Sequence, residues 1–161
     1  MKEFLTQERL KELLHYDPEN GKFTRLKAAS NHVVGEVAGW ITKDGYRLIK
    51  VDGKQYRCAR LVFLYMTGDL PLQADHINRI RDDDRWVNLR SADNGQNNAN
   101  KNIQRNNTSG AKCASWDSRR NRWHVRVHIG GKQRHVGYFE DFELAELAAS
   151  EARTKAYGEF A

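Results

Sequence analysis

The sequence predicts an α+β chain in two parts. A central strand–loop–strand–helix unit, framed by N-terminal hairpin and helix elements, precedes a three-stranded antiparallel sheet packed on one helix. Three observations carry this. The stretch Gln73–Asn102 runs from Asp75-His76 through an acidic turn, Asp82-Asp83-Asp84, to Val87-Asn88-Leu89 and an asparagine-rich segment. Residues 122–129 alternate apolar and polar, and Gly130-Gly131 turns them into a further strand over 132–139. Residues 141–157 set Ala145, Ala148, Ala149, Ala152 and Ala156 on one helical face, small enough to pack closely on a sheet.

At the N-terminus, residues 4–15 bring Phe4, Leu5, Leu10, Leu13 and Leu14 near helical spacing, and Asp17-Pro18 with Asn20-Gly21 ends that helix. Residues 22–26 alternate like a strand, and 33–40 form a weaker strand candidate. Asp52-Gly53 between 46–51 and 54–57 is the best hairpin signal of this half. Residues 58–66 predict an apolar helix ended by Gly68. A second strand is expected at 86–89, then a helix capped by Ser91. Residues 103–110 read as a polar linker, and 112–117 as a short strand.

The chain has 161 residues, room for one ordinary domain or two small ones. Apolar residues make up 39% without a run long enough to span a bilayer, so no membrane partner is expected. The first residues are mixed and charged, unlike a signal peptide. Cys58 and Cys113, 55 residues apart, supply neither a disulfide framework nor a four-thiolate zinc site. No structural zinc is expected, and a reducing cytoplasm is the expected compartment. Net charge is +6. Residues 106–137 hold seven Lys/Arg against one acid, while 138–161 hold two against six. That segregation suits a polyanionic partner better than net charge alone.

Phosphodiester hydrolysis needs an activated water and relief of charge on the leaving oxygen. A histidine of near-neutral pKa can take the water's proton. A hard divalent cation on oxygen ligands can stabilise the departing oxygen. Asp75 offers a carboxylate next to His76, and on a strand such neighbours face opposite ways unless the strand ends there. Asn88 and Asn97 follow 13 and 22 residues after Asp75, and Asn97 and Asn100 stand one helical turn apart. Asp75 plus Asn97 would leave positions on a metal for water and phosphate. Against this stands a plain reading: with nine asparagines between Asn78 and Asn107, some spacing will match by chance.

The ordered set DH-x(11)-N-L-R-x(6)-N-x-x-N, with the lead-in RLVFLYMTGDLP, resembles the HNH endonucleases of the ββα-metal fold, in the phage and intron-encoded homing branch. The resemblance covers about residues 45–102. It implies His76 as general base, Asp75 and Asn97 as ligands of a divalent metal (Mg2+, with Mn2+ as the alternative), Asn88 as a brace of the loop between the strands, and Asn100 assisting at the phosphate or bracing the helix. His76, Asn88 and Asn100 form the expected catalytic set. Asp83-Asp84 stands where many relatives have an acidic-Asn pair, and Ala59-Arg60 where many have His-Arg.

In the C-terminal part, Trp123, Val125, Val127 and Ile129 share one strand face; Arg122, His124, Arg126 and His128 share the other. Lys112, Ser115, Gln133 and His135 would widen the second face, with Arg119 and Arg120 at the turn. Such a sheet can enter a major groove, although alternating charge more often marks a solvated face. Residues 108–161, with S-W-D, R-W, G-K, G-x-F and an alanine-rich helix ending in Y-G, resemble an AP2 domain, which implies DNA binding through the sheet.

The expectation is a site-specific homing endonuclease acting on double-stranded DNA, by nicking where one chain works alone. Its nuclease region would be residues 1–104, with the ββα motif near 73–102, and its AP2-like region residues 105–161. It would be phage- or mobile-element-encoded and work in a bacterial host cytoplasm without an obligatory protein partner. The alternatives are a DNA-binding regulator with a catalytically silent HNH scaffold, and a nuclease specific for RNA or for a nucleic-acid structure.

Overall fold

The computed structural model describes residues 5–28 and 32–161. The chain forms two compact units, Met1–Ala92 and Asp93–Ala161.

In the first unit, Thr6 caps helix α1 (Gln7–Leu13) by accepting from the Arg9 amide. The expected helix over 4–15 is shorter than its periodicity suggested. Leu14 leaves helical geometry and opens strand β1 (Leu14–Asp17), paired antiparallel with β2 (Lys22–Arg25). Pairing with β2 lets Leu14 and Tyr16 both face the core, which helix continuation would not. Phe4 lies outside the described residues. Of the candidate strand over 33–40, only a bridge from Val37 to Thr24 and the short β3 (Trp40–Ile41) form. The glycines at 35 and 39 take positive φ and break the ladder.

Strands β4 (Arg47–Val51) and β5 (Lys54–Arg57) form the predicted hairpin, with Asp52 and Gly53 both at positive φ, as a tight primed turn requires. β3, β4 and β5 make one sheet in that order. Helix α2 (Cys58–Thr67) follows, closed by Gly68 in the left-handed region. It buries Leu61, Val62, Phe63 and Leu64 against Leu10, Leu14, Tyr16, Phe23 and Ile49. That burial is the main stabilising term of the unit.

Strand β6 (Gln73–His76) pairs antiparallel with β7 (Leu89–Ala92) across a loop over 77–88. The expected strand at 86–89 is displaced. Residues Trp86–Asn88 form a 3-10 turn, because the Asn88 amide closes back on the Arg85 carbonyl at 2.9 Å.

The second unit opens with α3 (Asn94–Asn100). Its cap is Asp93, not Ser91, which lies in β7. Asp93 and Gln96 complete a reciprocal capping box, each side chain bonding the other's backbone at 2.8 Å. Ser91 has no such partner three residues on. Because α3 packs within this unit, the compact units divide earlier than the expected 104/105 boundary. The expected linker folds locally: the Asn107 side chain donates to the Ala111 carbonyl and accepts from the Gly110 amide.

Strands β8 (Ala114–Asp117), β9 (Arg122–Ile129) and β10 (Lys132–Phe139) form an antiparallel sheet in the order β10-β9-β8. Helix α4 (Phe142–Tyr157) packs Ala145 and Ala149 on Val125, with Trp123, Phe139 and Phe142 around them. The predicted three strands and one helix are all present. Among the described residues no helix is long and apolar enough to cross a membrane.

Candidate active site and nucleic-acid face

His76 is the last residue of β6, and its strand neighbour Asp75 faces the other way. Asp75 pairs across the hairpin with Arg90, whose Nε donates to its Oδ2 at 2.9 Å. Both groups are largely buried, so this ion pair sits where removing either partner would strand a charge. His76 turns to Asp84, with Nε2 at 3.1 Å from Oδ1; the two side chains are 6% and 2% exposed. A carboxylate only accepts, so Nε2 is the donor in this bond. The loop therefore presents a histidine with fixed orientation.

Several elements hold Asp84 in place. The Tyr16 hydroxyl donates to its backbone carbonyl at 2.7 Å, and the Trp86 amide bonds the Pro18 carbonyl. Gly21, at φ +72°, passes so close that an added Cβ would lie 2.5 Å from the Arg85 nitrogen. The Cys58 thiol is also adjacent, and burial first, then the Asp84 carboxylate, pushes it well above its usual range. It is no nucleophile at neutral pH.

Asn88 is buried in the same loop. Its Oδ1 accepts from the Asn78 amide at 3.0 Å, and its Nδ2 donates to the Asn78 side chain and the Asp83 carbonyl. These bonds tie both ends of the loop together. Asp83 pairs with Arg85, and that guanidinium, with Asn78 assisting after the cost of burial, holds the carboxyl down to about 2.

Asp75, His76 and Asn88 thus all lie on the β6–β7 hairpin and its loop in the first unit, with Asp75 and His76 facing opposite ways. Asn97 and Asn100 stand one turn apart on α3 in the second, with Asn100 buried. The last turn of α3 is neutralised by Lys112 and Arg153, both donating to the Ala99 carbonyl, as cations do at helix C-termini. Among the described residues no three His, Cys, Asp and Glu side chains group as metal ligands. The expected pair is one carboxylate and one carboxamide; such oxygen donors suit Mg2+ or Mn2+ better than zinc.

His76 also lines a cleft of about 390 Å3 in the first unit, walled by Tyr46, Arg47, Arg57, Arg60 and Arg81, with Asp84 at its side. The sequence reading missed this cleft, the Asp84 partnership and the role of Arg90. The triple aspartate was a visible signal for Asp84, but which of the three turns inward is not encoded locally.

On the second unit, Ser115, His124 and Tyr138 are cross-strand partners, as are Arg126 with His135 and His128 with Gln133. His124 Nε2 lies 2.9 Å from His135 Nδ1, and Arg126 reaches Gln133 at 3.3 Å. A register shift between His135 and Gly137 reverses the parity of β10 and brings Tyr138 onto this face, stacked on His124 at 4.4 Å. Simple alternation could not have placed it. Burial, then Arg126 and His135, holds His124 below the ordinary histidine value. Arg120 pairs with Asp117, and Arg122 with Glu140; the Arg119 amide bonds the Asp117 carboxylate. Lys112 lies before β8, engaged with α3. The sheet face is thus polar and aromatic at its centre, with its turn cations partly neutralised.

Residues 56–99 match the model of a family described as HNH endonuclease, a match that supports an HNH nuclease. No curated protein and no solved structure matches the chain.

Proposed function

We propose that this chain is a metal-dependent DNA endonuclease of the homing type, in which His76 takes the proton of the attacking water. The observation that carries the reading is the buried His76–Asp84 pair at the wall of a cationic cleft, inside the segment that matches the HNH endonuclease family. Asp84 fixes the ring, and the imidazole of His76 serves as the base. Asp75 and Asn97 are the residues that would hold the ion, whose charge would offset that of the departing oxygen. Asn88 keeps the loop in shape, and Asn100 supports α3 or the phosphate. The AP2-like second unit binds double-stranded DNA through the face of Ser115, His124, Arg126, His128, Gln133 and His135, with Arg119, Arg120 and Arg122 at its edge.

The test is His76→Ala. Nicking of supercoiled plasmid with Mg2+ should fall to the level seen in EDTA, while binding of duplex DNA stays near wild type. Undiminished cleavage by that variant would sink the assignment. The salt bridge from Arg90 to Asp75 favours a second reading, a DNA-binding regulator whose HNH part is silent, since an internal cation already neutralises that carboxylate. Wild-type protein that never cuts with Mg2+ or Mn2+, yet binds DNA, would favour the regulator.

A further inference from the structure

Arginines of this chain differ in whether a carboxylate neutralises them. Arg9, Arg85, Arg90, Arg120 and Arg122 each have a carboxylate within ion-pair distance. Arg47, Arg57, Arg60 and Arg81, all lining the cleft beside His76, have none among the described residues. Among the described residues lining the cleft, the one carboxylate, Asp84, is hydrogen-bonded to His76. Four like charges around one concavity repel each other, and low-dielectric walls raise that cost. A site so built is stabilised by an anion from outside.

Part of this set is held ready. Arg57 lies over the Tyr46 ring at 4.2 Å and Arg81 at 5.2 Å. Arg81 also donates to the Asp44 carbonyl, and Arg60 to the Pro71 carbonyl, each at 2.7 Å. A guanidinium has five N–H donors, so one such bond orients the group and leaves others for a ligand. Forks of this kind match phosphate oxygens in two-point contacts. Two guanidiniums cover the Tyr46 ring, which makes it a spacer between cations; the cleft is suited to a phosphate, not to a stacked base.

We propose that this cleft seats a backbone phosphate of the strand being cut, next to the bond presented to His76. Arg47, Arg57 and Arg81 are the binding groups, and Tyr46 is the spacer that aims two of them. The proposal rests on the nuclease reading and adds to it a phosphate seat within the first unit, separate from the sheet of the second.

The test uses the full chain and labelled duplex DNA of mixed sequence, in EDTA so that nothing is cut. Affinity is measured against salt concentration. Arg57→Gln and Arg81→Gln should each lower the slope of log K on log salt by about 1, the signature of one lost phosphate contact. Arg57→Lys should keep the wild-type slope, because the charge remains. Arg9→Gln, which removes a cation already paired in the same unit, should also leave it unchanged. With Mg2+, the double variant Arg57→Gln, Arg81→Gln should raise the KM of plasmid nicking by about tenfold while kcat stays near wild type. A wild-type slope in both Gln variants, or an equal drop in Arg9→Gln, overturns the proposal. Because the slopes are read in EDTA, they test the cleft even if the wild type never cuts, an outcome that would count against the nuclease reading alone.

Discussion

Three consecutive carboxylates meet three different fates. Asp82 is exposed, Asp83 is ion-paired to Arg85, and Asp84 is buried against His76. Their chemistry is identical, so their roles come from direction alone. Asp84→Asn tests the most consequential one. The amide can donate to Nε2 and so favour the wrong ring tautomer, at almost no change in volume. Plasmid nicking should slow by about 10²-fold or more in kcat, with DNA affinity unchanged. An unaltered kcat would remove Asp84 from the site. The same scale shows what was readable in the chain and what was not. Asp75, His76, Asn88, Asn97 and Asn100 stand out through spacing. Asp84, Arg90 and the four cleft arginines have no spacing signature, because their partners lie across a hairpin or on another strand.

At the scale of elements, the N-terminal hairpin gains a purpose that its sequence does not state. β1 and β2 hold the loop over 77–88 through the Tyr16 hydroxyl, the Pro18 carbonyl and the close approach of Gly21. Gly21→Ala and Gly53→Ala separate support from simple turn strain. Both positions have φ above +70°, so that strain should cost each substitution about 1–2 kcal/mol in urea unfolding, with a further loss at Gly21 from its backbone clash. Only at Gly21 would the new methyl press on the Asp84–Arg85 backbone; Gly53 has nothing within 4 Å. Nicking should therefore fall in Gly21→Ala and persist in Gly53→Ala, and equal activity in the two would refute the support role. Elements set by local chemistry, such as the Asp52-Gly53 hairpin and the alanine face of α4, matched their periodicity. Elements set by competition did not. Pairing with β2 took Leu14 from the helix, and the capping box moved the start of α3 to Asp93.

For the whole molecule, acid stability depends on carboxylates that folding holds ionised. Asp83 sits at about 2 in the folded chain beside Arg85, against about 4 for an unfolded aspartate. Its contribution is therefore complete above about pH 4 and fades as the pH falls toward 2. The urea midpoint of Asp83→Asn should lie below wild type at neutral pH, and the gap should close over that window. A gap that persisted at pH 2 would show that the pair matters through geometry and not through charge.

The sequence by itself determined the periodic and compositional features: three strands and a helix over 112–157, the segregation of basic from acidic segments, and the order of the DH, NLR and NxxN residues. These are legible because they depend on neighbours within a few residues. Tertiary structure alone decided which aspartate meets His76, that Arg90 neutralises Asp75, that a register shift brings Tyr138 onto the sheet face, and that four arginines without carboxylate partners enclose one cleft. Each of those depends on burial and on charges brought together from distant parts of the chain. No local pattern records such an encounter.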